Sequence, residues 1–138
     1  MGYTDTFVSV AEDCRATTGE VPPDRAGGTP TVAAVQYAML AAEPGRWTQE
    51  DVLLASSPGV RGRADLGADE LERLRTEYFA QPRACLRASP LPKTLGWGLH
   101  YDHAGRITLH AVGSESYARL SADPGLTQLR AMRSRRAR

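Results

Sequence analysis

Apolar and polar residues alternate most clearly between Gly96 and Val112. The apolar positions are Trp97, Leu99 and Tyr101 on the first run, and Ile107, Leu109 and Ala111 on the second. A period of two marks a strand with one buried face. Both apolar sets share a face when Leu99 lies opposite Leu109 and Tyr101 opposite Ile107. That register pairs Asp102 with Arg106 and leaves His103-Ala104-Gly105 as a three-residue turn. Gly105 then occupies the left-handed position such a turn requires.

The rest of the chain divides less sharply. Phe7 to Ala11 alternates and predicts a strand. Residues 15–28, rich in Gly, Pro and Thr, predict a long loop. Thr29-Pro30 predicts the start of a helix over 30–42, with Val32, Val35, Met39 and Ala42 on one face and Pro44-Gly45 as the stop. Thr48 and Asp51 have the spacing of a capping box, but Val52-Leu53-Leu54 suits a buried strand, and we read 51–55 as a strand. Residues 56–67 form a loop. Asp69 is expected to cap a helix over 69–80, with Leu71, Leu74 and Tyr78 inward and an Asp69–Arg73 pair outside. Ser114 caps a short helix through Leu120, and Asp123-Pro124 opens another with Leu126, Leu129 and Met132 inward.

The expected fold class is therefore α+β. A small, mainly antiparallel sheet is packed on its Trp97/Leu99/Tyr101 face by three or four helices. A chain of 138 residues predicts one domain spanning 1–138. At that length folding buries roughly two-thirds of the unfolded surface, so a core needs no disulfide or metal.

Composition adds a source and a compartment. Sixteen Arg against one Lys, with abundant Ala, Gly and Pro, point to a GC-rich bacterial genome such as an actinobacterial one. Arginine identity is accordingly weak support for anion binding. No apolar run is long enough to span a membrane, and MGYTDTF lacks the features of a secretory signal, so the expected location is cytoplasmic. Cys14 and Cys85 are then expected as reduced thiols.

Charge is unevenly placed although the net value is +1. Residues 1–60 carry eight acids and three bases, and residues 106–138 carry two acids and seven bases. The C-terminal arginines, Arg130 to Arg138, are read as a frayed basic tail over 134–138. Pairing with the acidic N-terminal half and binding of an anionic partner are the alternatives. No aromatic residue is interleaved with these arginines, so nucleic acid is disfavoured as a partner.

Chemistry concentrates in RACLRASPLPKTLGWGLHY, residues 83–101. Arg83 and Arg87 flank Cys85, and in an extended segment all three side chains point one way. Nearby cations favour a thiolate, so Cys85 is a candidate nucleophile. Its blander reading, a small buried hydrophobe, is preferred. Ser89 and Lys93 add a hydroxyl and a cation, and Trp97 and His110 follow on the strands. A ligand pocket lined by Arg83, Arg87, Ser89, Lys93, Trp97 and His110 is the expectation. The hairpin register makes His100 and His110 diagonal neighbours on the face away from the core, where one could act as a base or both could share a metal. A polar outer face is the simpler reading. No phosphate loop, dinucleotide fingerprint, zinc-protease motif or nucleophile elbow is present, so no cofactor and no metal is expected.

Several strings carry a resemblance. They are Val10 to Cys14, Glu20 to Pro23, Val35 to Leu40, Cys85 to Leu91, Gly96 to His100 and Ala131 to Arg135. Together they resemble a bacterial and fungal family known as a domain of unknown function. The resemblance covers nearly the whole chain, with residues 56–67 atypical. It implies a stand-alone bacterial protein and no particular activity, cofactor or catalytic residue.

The functional expectation is a non-catalytic ligand- or partner-binding module. Its partner is a small molecule or a protein, with a homodimer as one option, and no membrane is involved. The alternatives are a cysteine enzyme using Cys85 and His100, and a nucleic-acid or anion binder acting through the Arg-rich C-terminus.

Overall fold

A computed structural model describes residues 2–25 and 27–135. The hairpin forms as the apolar stripe requires. β2 (Trp97–Tyr101) and β3 (Ile107–Ala111) pair antiparallel, with Leu99 opposite Leu109 and Tyr101 opposite Ile107. Gly105 has φ +80°, and Asp102 Oδ1 accepts the N–H groups of Ala104 and Arg106 to close the turn. β1 (Thr6–Ser9) pairs antiparallel with β2, and β4 (Thr127–Arg130) pairs parallel with β1. The strand order is β3-β2-β1-β4, so the sheet is mixed.

Among the described residues five α-helices complete an α+β fold: α1 (Val32–Ala42), α2 (Gln49–Ala55), α3 (Ala68–Phe79), α4 (Pro90–Lys93) and α5 (Glu115–Ser121). Val8, Leu99, Tyr101 and Ile107 bury one sheet face against Leu40 of α1, Val52 and Leu53 of α2, and Leu91 of α4. The expectation that the helices all pack on the Trp97/Leu99/Tyr101 face is corrected. α5 lies on the other side, where the Tyr117 ring meets Phe7 edge-on with centroids 5.2 Å apart. No helix among the described residues is long and apolar enough to cross a membrane.

Three predicted elements differ. The strand expected at 51–55 is α2, and the Thr48/Asp51 capping box that opens it is complete. Val52, Leu53 and Leu54 are 0%, 8% and 5% exposed, so this helix shows no polar face across its apolar run and periodicity is blind to it. The helix expected after Asp123-Pro124 is a turn followed by β4, an edge strand with only Leu129 half-buried. α1 is capped by Thr31 rather than Thr29, and its buried positions are Gln36 and Leu40.

α3 is held loosely. It starts at Gly67, which offers no side-chain cap, and none of its residues is buried. Leu71, expected inward, is 37% exposed. Arg73 pairs with Glu77 and Glu70 rather than with Asp69.

The start of the basic tail is tied down. Asp13 accepts the backbone N–H groups of Ser134 and Arg135, and Arg133 pairs with Glu12. The expected fraying at 136–138 lies outside the described residues.

Candidate functional site

Residues 82–90 are a connector made of three local choices. Cys85 precedes a 3-10 turn at Leu86–Ala88, and Ser89 caps α4 by accepting the Leu91 N–H, with Pro90 pre-set for the first helical position. The segment is therefore not extended, and the three side chains of Arg83, Cys85 and Arg87 part ways. The Arg83 guanidinium stacks over the Tyr78 ring at 4.1 Å, with Nε donating to Tyr78 O. Arg87 donates from Nε to Arg130 O at 2.7 Å and so fastens the connector to the end of β4. The Tyr3 hydroxyl lies 3.3 Å from Cys85 Sγ. That contact, then burial, holds the Tyr3 phenol above its ordinary pKa, against the opposing pull of Arg87.

A cleft of about 420 Å³ opens beside this connector, between it, α1 and the loop that follows α2. Its floor is a closed polar network. Gln36 Nε2 donates to Ser56 Oγ at 3.1 Å, and Ser89 Oγ donates to Gln36 Oε1 at 2.5 Å. Ser56 and Ser57 donate their hydroxyls to Val52 O and Leu54 O. These hydroxyls are spent on structure, and none of them meets a base. Of the sequence candidates, Arg83, Cys85 and Ser89 line the cleft, whereas Arg87, Lys93, Trp97 and His110 do not.

Two cations face this space. Arg61 donates from Nη1 to Ser56 O at 3.1 Å, while its Nε is shut off from solvent and has no acceptor. Among the described residues neither Arg61 nor Arg83 forms an ion pair. The cleft lining includes no carboxylate. A neighbouring groove of about 580 Å³ differs in this respect. It is lined by Glu50, Glu72, Arg75 and Phe79 and shares Arg83 with the cleft, and there Arg75 bridges Glu50 and Asp51 at 3.2 and 3.5 Å.

The two histidines lie elsewhere. Their rings are diagonal neighbours with centroids 6.2 Å apart, as the register requires. His110 is held by two hydroxyls, Nε2 against Thr108 Oγ1 and Nδ1 against Ser116 Oγ, both at 2.8 Å. Burial, followed by the charges of His100 and Arg119, pushes its pKa below the ordinary histidine value. With both ring nitrogens engaged, His110 has none left for a metal. Among the described residues no three His, Cys, Asp or Glu side chains gather as a metal site. His100 sits opposite Phe7 on the α5 side of the sheet. Cys85 sits on the other side, beside Tyr3, whose ring packs edge-on against Tyr101. A Cys85–His100 nucleophile and base are thus divided by the sheet.

Trp97 closes the long loop. Its Nε1 donates to Glu20 O at 2.8 Å, and its ring lies 5.5 Å from that of Tyr37. Lys93 stands in the last turn of α4.

A family model described as a family of unknown function, DUF6157, matches residues 1–137. The chain belongs to this family. Comparison with curated proteins and with solved structures returns no match. Membership of DUF6157 supplies no reaction, so function rests on the cleft. One of its lining residues, Arg61, was not singled out by the sequence. It is one of two arginines in SSPGVRGRADLG. Nothing in that spacing separates a partnerless buried donor from a solvated one.

Proposed function

We propose that this chain is a non-catalytic binding module whose ligand occupies the cleft between the 56–61 loop and residues 82–90. One observation carries the reading. A concave space of about 420 Å³ is lined by groups that hold one another rigidly, yet no nucleophile in it has a base. Pockets with a few fixed polar groups are the usual form of small-molecule sites. The division of Cys85 and His100 by the sheet argues against the cysteine-enzyme alternative, which needs both within hydrogen-bond reach. The pairing of Arg133 with Glu12, together with the anchoring of Ser134 by Asp13, argues against a tail free to bind polyanions. The free thiols Cys14 and Cys85 suit a reducing compartment, the cytoplasm.

The test is a neutral fragment library screened by amide chemical-shift mapping on the full chain. Fragments should perturb residues 57, 61, 84, 85 and 88 together. Ala84→Trp, which fills the cleft from an exposed position, should remove those shifts while leaving the rest of the spectrum in place. Shifts that cluster elsewhere, or that survive Ala84→Trp, would reject the cleft as the binding site.

A further inference from the structure

We infer that α3 is a lid on the cleft. It swings away from α2 as a unit, about exposed hinges at 63–67 and 80–84, and closes on the bound ligand. The inference rests on the binding-module reading and adds how access to that site is controlled. A surface helix is ordinarily held by an apolar face pressed into the core. None of the twelve residues of α3 is buried. Hollows flank it instead. Tyr78 lines the cleft, Leu74 and Tyr78 line a hollow of about 290 Å³, and Arg75 and Phe79 line the groove of about 580 Å³. Arg83, just past the end of the helix, borders all three. Apolar attachment is confined to the last turns, where Tyr78 and Phe79 pack at the edge of the core and Leu74 lies beside Gly59.

Polar attachment is as slight. Among the described residues no backbone hydrogen bond joins 64–84 to the rest of the chain. Arg75 ties the helix to α2 through Glu50 and Asp51, and each of these three side chains is about one-third exposed. Such a pair is weak and open to screening by salt, which makes it a latch and not a weld. The flanks can move without uncovering core, since Gly67 gives no side-chain cap and 80–84 are exposed. Segments with few buried contacts open at free energies far below that of global unfolding. Tyr78 couples this motion to the site, because it belongs to α3 and also lines the cleft. A ligand that touches Tyr78 there gains that contact only while α3 is closed, so it favours the closed state.

Amide hydrogen exchange on the full chain reads the lid directly. The amides of 72–80 should share one opening constant, about a hundredfold or more larger than that of the β2–β3 hairpin. Raising NaCl from about 0.1 to about 1 M, or Arg75→Gln, should speed α3 exchange about two- to fivefold and leave the hairpin unchanged. The strongest neutral fragment from the cleft screen, at about ten times its Kd, should slow α3 exchange about tenfold, because openings that release it are suppressed in proportion to its saturation. The salt comparison on the wild-type chain decides the matter even if Arg75→Gln folds poorly. Exchange at 72–80 as slow as in the hairpin, or indifferent to both salt and Arg75→Gln, would overturn the inference. A fragment that enters the cleft and leaves α3 exchange unchanged or faster would overturn it and leave the binding-module reading standing. If no fragment enters the cleft, both fall.

Discussion

The Tyr101 hydroxyl donates to Gln49 Oε1 at 2.7 Å in the middle of the core, where both side chains are buried. The same oxygen accepts the Leu86 N–H at 3.2 Å. One amide on α2 thereby joins the sheet to the connector that edges the cleft. Burial holds the Tyr101 phenol far above its ordinary pKa, with Cys85 and then Tyr3 adding to it, so it remains a donor throughout the usable pH range.

The two partners of this bond should differ in cost when removed. Tyr101→Phe deletes a donor, but Gln49 Oε1 keeps Leu86, and the loss should be about 1 kcal/mol. Gln49→Ala strands both the Leu86 N–H and the Tyr101 hydroxyl and opens a cavity, so about 3 kcal/mol or more is expected. Urea denaturation of both variants tests the order, and equal losses would show that the shared acceptor is not what holds the connector.

The Gly-Trp-Gly entry to β2 is a packing device, and alanine there should be poorly tolerated. A Cβ at Gly96 would stand 2.1 Å from Thr18 O on a backbone with φ +81°. A Cβ at Gly98 would stand 2.6 Å from Phe7 Cζ and 2.8 Å from Tyr117 Cε2. Gly96→Ala meets both backbone strain and a rigid carbonyl, so about 3 kcal/mol or more is expected. Gly98→Ala meets ring edges and should cost about 1–3 kcal/mol. Denaturation midpoints in the reverse order would place the tighter contact on the wrong side of Trp97.

What the sequence disclosed follows from how local each signal is. The β2–β3 register was legible because Leu99, Leu109 and Gly105 lie within a few residues of one turn and all demand the same pairing. The helix at α2 was misread because Val52, Leu53 and Leu54 are buried together and mimic a strand, although Thr48 and Asp51 stated the helix start correctly. β4 was misread because Leu126, Leu129 and Met132 have helical spacing, while its parallel partner β1 lies more than a hundred residues away. The cleft was legible in part. Arg83, Cys85 and Ser89 were named, but the disposition of Arg61 depends on Ser56 O and on enclosure, and neither is written in residue spacing.

Acid should expose the strain at His110. Its folded pKa lies below the ordinary histidine value, first through burial and then through His100 and Arg119. Well above about pH 6.5 the imidazole is neutral in both states and contributes no pH dependence. As pH falls below that value the unfolded chain takes up the proton first, so stability declines until pH passes the lower folded value. His110→Gln keeps a polar side chain between Thr108 and Ser116 and removes the titration. Melting temperatures measured between about pH 7 and pH 5.5 should fall less in the variant than in wild type. An identical slope would assign the acid sensitivity to another group.

Asp13 should govern the order of the last described residues. Partial desolvation raises its pKa, but the N–H groups of Ser134 and Arg135 and the charge of Arg133 outweigh this and leave the carboxyl below its ordinary value. A depressed carboxylate contributes its stabilisation above the unfolded aspartate pKa and loses it as pH falls through the folded one. Asp13→Asn keeps the shape and removes the charge that the two backbone donors face. Amide hydrogen exchange at Ser134 and Arg135 should then quicken at neutral pH, while exchange in the β2–β3 hairpin stays unchanged. The wild-type protection should also weaken in high salt, because both Asp13 and the Glu12–Arg133 pair are exposed to screening. A tail that frays from residue 134 predicts no change in either measurement. Protection at Ser134 that is equal in wild type and Asp13→Asn would therefore restore that simpler view and return the C-terminal arginines to solvent.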